Sequence, residues 1–280
     1  MSSLVRRRRL AQELRRLREA AHLTCDEVAV ALDCSASKIS RIETCRVLVS
    51  PRDVRDLLRI YGVPEEQRAG LIQLARESRQ KGWWQTLANA VEPNVMTYLG
   101  LEQEASELRI YNVNWMPGLL VTEDYARVAV TAGRAVIERR RTADDTVGLV
   151  MERQRQAGLS PRQLWVVLDE TVLRRRVGGR EVMRRQIEHL IELSSRPDLC
   201  LQVMPFIGGL HITLDASFTI MAFPDPADPD IACVTYPTGV LWIEDTAEVG
   251  QYNSLFRHLQ ATSLSPNDSV ALIASVLRDL

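Results

Sequence analysis

The sequence predicts a two-domain chain of mixed class, α + α/β: a five-helix head over residues 1–80 and a mixed α/β domain with about five strands over residues 81–280. Three observations predict it. A length of 280 residues suits about two domains. Charge divides unevenly: residues 1–82 hold 17 basic and 11 acidic side chains, a net of +6, and residues 83–280 hold 18 and 25, a net of −7, which sum to the chain's −1. Texture changes as well, from short helices with clear cap signals to β-branched apolar runs separated by turns.

Composition narrows the classes. With 46% hydrophobic and 25% charged residues there is enough apolar material for packed cores, which excludes a disordered chain. No run approaches the ~20 apolar residues that span a bilayer. Arg6, Arg7, Arg8 and Arg9 stand where a signal peptide needs its apolar stretch, so a cytoplasmic location is expected. Five cysteines, an odd count without a CxxC pair, argue against a disulfide framework or a zinc ribbon. Lys38 and Lys81 are the only lysines. A phosphate-gripping P-loop lysine, a kinase strand lysine or a Schiff-base lysine therefore cannot lie in residues 82–280.

In the head, Leu10, Leu14, Leu17 and Ala21 recur at helical spacing and predict a first helix over about Arg7–Ala21. Arg6–Arg9 form either its solvated first turn or an arm reaching for phosphate. Thr24-Cys25-Asp26-Glu27 is a capping box opening a second helix with Val28, Ala29, Ala31 and Leu32 inward. Ser35 caps a third, Ala36–Thr44, with Ile39 and Ile42 buried. Ser50-Pro51 opens a fourth, and Pro64-Glu65-Glu66 a fifth running to about Arg79.

Two short helices joined by so tight a turn need a small residue where they cross, and Ala29 supplies it. The result is a helix-turn-helix whose second helix enters the major groove of duplex DNA. With Ile39 and Ile42 inward, Ala36, Ser37, Ser40 and Arg41 face the base edges. Ser35, Lys38, Arg46 and Arg52 flank them as phosphate contacts. Arg41 is the first candidate for base reading, because its planar fork matches the O6/N7 edge of guanine. Cys25, Cys34 and Cys45 all fall inside the motif; they are either small core fillers or thiols that respond to oxidation.

Leu14-Arg15-Arg16-Leu17-Arg18-Glu19-Ala20, Leu23-Thr24, Glu27-Val28-Ala29 and Ser35-Ala36-Ser37-Lys38-Ile39-Ser40-Arg41-Ile42-Glu43 together resemble the Cro/CI-like (XRE-type) helix-turn-helix family. The chain departs from that pattern at Cys25, where the family has a DNA-contacting glutamine, and at Asp33 and Cys45, where it has glycine. A side chain in left-handed geometry costs ~1 kcal/mol, so a different ending is expected for the third helix.

Beyond the head, Lys81-Gly82-Trp83-Trp84 marks the domain boundary. A helix is expected near Val95–Tyr111, then an apolar loop, Trp115–Leu120, and a helix capped by Thr122. A charged helix follows over about Val136–Gln156. Strands are expected at Leu164–Leu168, Leu199–Val203, Ser217–Phe223, Ile231–Tyr236 and Val240–Ile243, with helices at Glu181–Ser194, Ala247–Ala261 and Pro266–Leu277. Strand, helix, strand predicts one parallel crossover, and the closely spaced later strands predict a meander.

Chemistry is sparse here. HExxH, GxSxG, a glycine-rich phosphate loop and a metal-ligand cluster are all absent from the sequence. Gly178-Gly179 and Gly208-Gly209 read as turns. Asp169-Glu170 reads as a helix cap with an acidic first turn, against paired carboxylates for acid/base work. His211 has no partner in sequence, and His189 sits near a packed helical stripe. No catalytic residue, cofactor or metal is expected.

Gly82-Trp83-Trp84, Pro117-Gly118-Leu119-Leu120, Glu123-Asp124-Tyr125-Ala126, Val167-Leu168-Asp169-Glu170, Val177-Gly178-Gly179, Gln202-Val203-Met204-Pro205-Phe206 and the Phe218–Pro226 stretch are similar to the uncharacterised effector domain that follows XRE-type modules in actinobacterial regulators. That resemblance implies an antitoxin-like transcriptional regulator, acting on double-stranded DNA near the nucleoid. It also implies a small acidic partner protein encoded nearby, or a small-molecule ligand, as the signal. Half-site recognition implies a homodimer. The competing expectation is a nucleotide-directed enzyme with an appended DNA-binding head.

Overall fold

The computed structural model describes residues 3–78, 92–134, 142–158, 162–208, 216–226, 228–236 and 239–280. The chain divides into two compact units, Met1–Ala88 with Met96–Glu104, and Asn89–Val95 with Ala105–Leu280. Lys81-Gly82-Trp83-Trp84, which the sequence marks as the boundary, lies outside the described residues.

The first unit is helical: α1 Ser3–Ala20, α2 Cys25–Ala31, α3 Ala36–Glu43, α4 Pro51–Ile60, α5 Glu65–Glu77 and the Met96–Glu104 part of α6, Pro93–Glu104. Its core gathers the apolar stripes that the periodicity marks, with Leu10, Leu14, Val28, Ile39, Leu57 and Leu58 at most 1% exposed. Arg6 and Arg7, both half-buried, are engaged within the unit. Arg6 pairs with Glu77 at 3.2 Å, and Arg7 Nε donates to the Ser78 carbonyl at 2.8 Å, so the basic turn ties α1 to the end of α5.

Helix ends follow one device. After α1, α2, α3 and α4 the chain turns at His22, Asp33, Cys45 and Gly62, with φ of +56°, +53°, +56° and +71°. In each case the next amide bonds back to a carbonyl five residues earlier, as from Leu23 to Arg18, Cys34 to Ala29, Arg46 to Arg41 and Val63 to Leu58. This is the Schellman ending. The expectation of a different ending for α3 is therefore overturned: Cys45 takes the left-handed geometry that glycine usually supplies. The turn's own backbone bonds, from Cys45 to Ile42 at 3.1 Å and from Arg46 to Arg41 at 2.8 Å, accompany that geometry. Because Asp33 is exposed, Asp33→Gly loses no packing and should stabilise the unit by about 1 kcal/mol in urea unfolding. A loss of stability would show that the side chain contributes more than the strain.

The second unit is built on a mixed six-stranded sheet of order β3-β2-β1-β4-β5-β6: β1 Glu107–Asn112, β2 Gln163–Asp169, β3 Leu199–Met204, β4 Phe218–Ala222, β5 Ile231–Tyr236 and β6 Gly239–Ile243. β1, β2 and β3 run parallel, and β4, β5 and β6 form the expected antiparallel meander. β1 corrects the sequence reading. The helix expected through Tyr111 ends at Glu104, and Glu107–Asn112 forms a central strand joined to it by only Ala105-Ser106. The strand is legible as alternation, Leu108 and Ile110 to one face and Tyr111 to the other, but no glycine or proline punctuates its start.

Helices cover this sheet: α7 Glu123–Arg134, α8 Ala143–Gly158, α9 Glu170–Arg174, α10 Arg180–Leu193, α11 Thr246–Thr262 and α12 Pro266–Asp279. On one face Val249, Phe256 and Leu259 of α11 pack on Tyr111, Val167, Phe218, Ile220, Ala232 and Ile243. Phe218 centres an aromatic cluster, 5.7 Å from Tyr111 and 5.2 Å from Tyr252 between ring centroids. The opposite parity, including Leu108, Ile110, Val166, Leu168 and Leu201, is buried as well. α8 opens where Thr142 and Asp145 cap each other, and the 136–141 part of the expected charged helix lies outside the described residues.

The apolar loop after β1 buries Met116, Leu119, Leu120 and Val121. Its backbone polar groups are met by two glutamines. Gln186 of α10 accepts from the Thr122 amide at 2.7 Å and donates to the Leu120 carbonyl at 2.8 Å, while Gln154 of α8 donates to the Gly118 and Val121 carbonyls. Gly178 and Gly179 form the turn into α10 with φ of +70° and +85°. A Cβ on Gly178 would stand 2.9 Å from Val128, so both the torsion and the space require glycine there.

Candidate nucleic-acid interface

The α2–turn–α3 element is assembled from its caps inward. The Thr24 amide and hydroxyl each donate to Glu27 Oε2 at 2.8 Å, and the Glu27 amide donates back to Thr24 Oγ1 at 3.2 Å. These bonds favour the Glu27 carboxylate and hold it below the usual carboxylate range. Ser35 accepts from the Lys38 amide and sets the start of α3. Ala29, 4% exposed, sits at the crossing. Ile39 and Ile42 anchor α3, leaving Ser37, Ser40 and Arg41 exposed on its outer side.

Ala36 is half-buried and packs against the core, so it differs from the other three residues read as facing base edges. Arg41 Nε donates to the Ser37 carbonyl at 3.2 Å, which lays the guanidinium back along the helix with its remaining donors free to turn outward. Among the four flanking positions, Ser35, Arg46 and Arg52 are exposed. Lys38 Nζ lies 3.3 Å from Asp53 Oδ2, in the first turn of α4. That pair brings the starts of α3 and α4 together, and with them Lys38 and Arg52. A phosphate at Lys38 would compete with Asp53.

The strongest polar contact behind α3 escaped sequence reasoning. Arg18 of α1 makes a two-pronged bond to Glu43, Nε to Oε1 at 2.7 Å and Nη2 to Oε2 at 2.9 Å, and its Nη1 donates to the Leu23 carbonyl at 2.6 Å. The two side chains are 12% and 4% exposed. Glu43 raises the pKa of Arg18 still further, so the cation is permanent. The signal was present: Glu43 follows Ile39 and Ile42 on the inward stripe, where a charge needs a partner. Cys25, Cys34 and Cys45 are half-buried, and the first two pack against the core.

In the second unit the residues considered for chemistry are tied into structure. Asp169 caps α9 by accepting from the Thr171 amide at 2.8 Å. Glu170, buried, accepts from the Phe206 amide at 2.9 Å and from Arg174 at 3.0 Å. His189 lies 3.9 Å from Glu192, and burial lowers its pKa. His211 lies outside the described residues. Arg109 of β1 is held by Glu107 at 2.5 Å, by Asp230 at 3.2 Å and by Asn253. Among the described residues no group of three or more histidine, cysteine or acidic side chains is placed to hold a metal ion. No helix among them is long and apolar enough to cross a membrane.

Comparison with known families finds two matched segments, the second of which takes in the Met96–Glu104 part of α6. Residues 9–71 match a family model described as a helix-turn-helix domain, and residues 95–275 match one described as a domain of unknown function, DUF5753. No curated protein matches the chain. No solved structure matches it either.

Proposed function

Since the chain belongs to the DUF5753 family and carries a helix-turn-helix domain ahead of that domain, we propose that it is an XRE-type, antitoxin-like transcriptional regulator. It acts in the cytoplasm at the nucleoid, as a homodimer. The DUF5753 domain receives the signal by binding a small partner protein or a small ligand, and it does so without catalysis. The actinobacterial resemblance of the sequence blocks agrees with this reading.

The observation that carries the proposal is the outer side of α3. Ser37, Ser40 and Arg41 stand exposed in a row on a helix whose inner side is fixed by Ile39, Ile42 and the Arg18–Glu43 bond. Small hydroxyls let such a helix approach base edges, and the arginine supplies a two-pronged donor for guanine. Lys38, Arg46 and Arg52 supply phosphate charge around it.

Titration of duplex DNA tests the assignment. Arg41→Ala should cost about 1–3 kcal/mol on the operator and relax preference at one base pair. Arg46→Ala and Arg52→Ala should weaken specific and random DNA alike, each reducing the slope of log affinity against log salt by about one. An Arg41→Ala loss of equal size on operator and random DNA would demote Arg41 to a phosphate contact.

A further inference from the structure

Among the basic residues proposed to meet DNA, Lys38 differs from the rest. Arg46 and Arg52 are exposed, and with Arg41 they make no ion pair among the described residues. Lys38 is half-buried, and its Nζ stands 3.3 Å from Asp53 Oδ2. That carboxylate belongs to the first turn of α4, whose start is set by Ser50 Oγ accepting from the Asp53 amide at 3.0 Å. It therefore answers two positive features at once, the Lys38 ammonium and the amide end of α4. A DNA phosphate at this corner would be held by the same two features.

For folding, this pair counts for little: its side chains are 38% and 28% exposed, and solvent screens a pair so placed. Arg18 and Glu43 already tie α3 to α1, so α3 does not depend on Asp53 to hold it. For binding, the position matters more. A phosphate that reaches Lys38 must displace Asp53, and the displaced carboxylate then stands beside a like charge. The other acids of α3 and α4 have no such effect. Glu43 is buried against Arg18, and Asp56 lies 3.9 Å from Arg59, which leaves Asp53 as the acid beside a DNA-facing cation.

We infer that Asp53 is a built-in competitor for DNA phosphate: it occupies Lys38 and lowers the affinity of the head for duplex DNA of any sequence. Base reading is left to Arg41, whose guanidinium bonds the Ser37 carbonyl and no carboxylate. A regulator gains from this division. Random sites far outnumber an operator in a genome, and phosphate attraction is what holds a protein to them. Withholding one cation from phosphate weakens that hold without touching the residues that face base edges. The inference rests on the regulator reading, in taking α3 as the helix that meets DNA.

Titration of the full-length chain with a random-sequence duplex over a range of salt tests it. Asp53→Asn frees Lys38 for one phosphate, which steepens the slope of log affinity against log salt by about 0.9 and should tighten binding about eightfold at ~0.1 M salt. Lys38→Ala in the Asp53→Asn background should return affinity to within about twofold of the parent protein. Glu66→Gln removes the same charge from the first turn of α5, outside the proposed interface, and should change affinity by less than about twofold. Should Asp53→Asn misfold, Asp53→Ser removes the charge with a smaller side chain and is read in the same way. A gain under about twofold, an equal gain from Glu66→Gln, or a gain that survives Lys38→Ala overturns the inference. Failure of parent and variant alike to bind the duplex in low salt would sink the regulator reading and the inference with it. Binding by the parent protein with no gain from Asp53→Asn would sink the inference alone.

Discussion

Glu43→Ala is expected to destabilise the first unit by about 3–5 kcal/mol, a large part of the stability of any small domain. The substitution leaves the Arg18 guanidinium, 12% exposed, without its two-pronged partner, and Arg18 cannot lose its proton to relieve the cost. It also unties α3 from α1, so DNA affinity should fall along with stability. Urea unfolding of the full-length chain measures the first effect. The double variant Arg18→Met/Glu43→Leu removes both charges and should recover most of the loss, because an apolar pair of similar volume replaces a buried ion pair at little cost. A single variant costing under 1 kcal/mol would mean that water reaches the pair and that α3 is held by Ile39 and Ile42 alone.

Gln186→Leu is the corresponding expectation for the second unit, a loss on the order of 3 kcal/mol. Gln186 is fully buried among Met183, Ile187 and Leu190, yet its amide answers both the Thr122 N–H and the Leu120 carbonyl. Leucine fits the space and strands both backbone groups, each at about 1–3 kcal/mol. Its apolar gain offsets only part of that. The loop Met116–Val121 should loosen first, which hydrogen exchange at the Thr122 amide would detect ahead of global unfolding. An unchanged midpoint, with the Thr122 amide still protected, would show that other groups satisfy this loop.

What could be read from the residues, and what could not, follows the range of the interactions. Thr24, Ser35 and Ser50 announced α2, α3 and α4 because a cap is a local device written within four residues. The Ile39/Ile42 stripe marked Ser37, Ser40 and Arg41 as exposed by spacing alone, while Ala36, at the edge of that stripe, is half-buried. β1 was lost to a helix because only its partners β2 and β4, more than fifty and more than a hundred residues later, make Glu107–Asn112 a strand. Glu43, Arg18 and Gln186 look like ordinary polar residues of amphipathic helices, and their partners lie 25 to 66 residues away. Cys45 shows the reverse case, a local rule overridden: the unit holds the Schellman turn although its residue resists it.

Selection of bound sequences from a pool of random duplex DNA, by the full-length chain and by its Arg41→Ala variant, tests most directly whether α3 reads DNA. The parent protein should enrich two half-sites related by two-fold symmetry and separated by about one helical turn, ~34 Å. The variant should lose preference at one base pair in each half-site and keep the spacing. A pool that shows no enrichment, or a motif identical for both proteins, would contradict the assignment of α3 and Arg41 to sequence recognition.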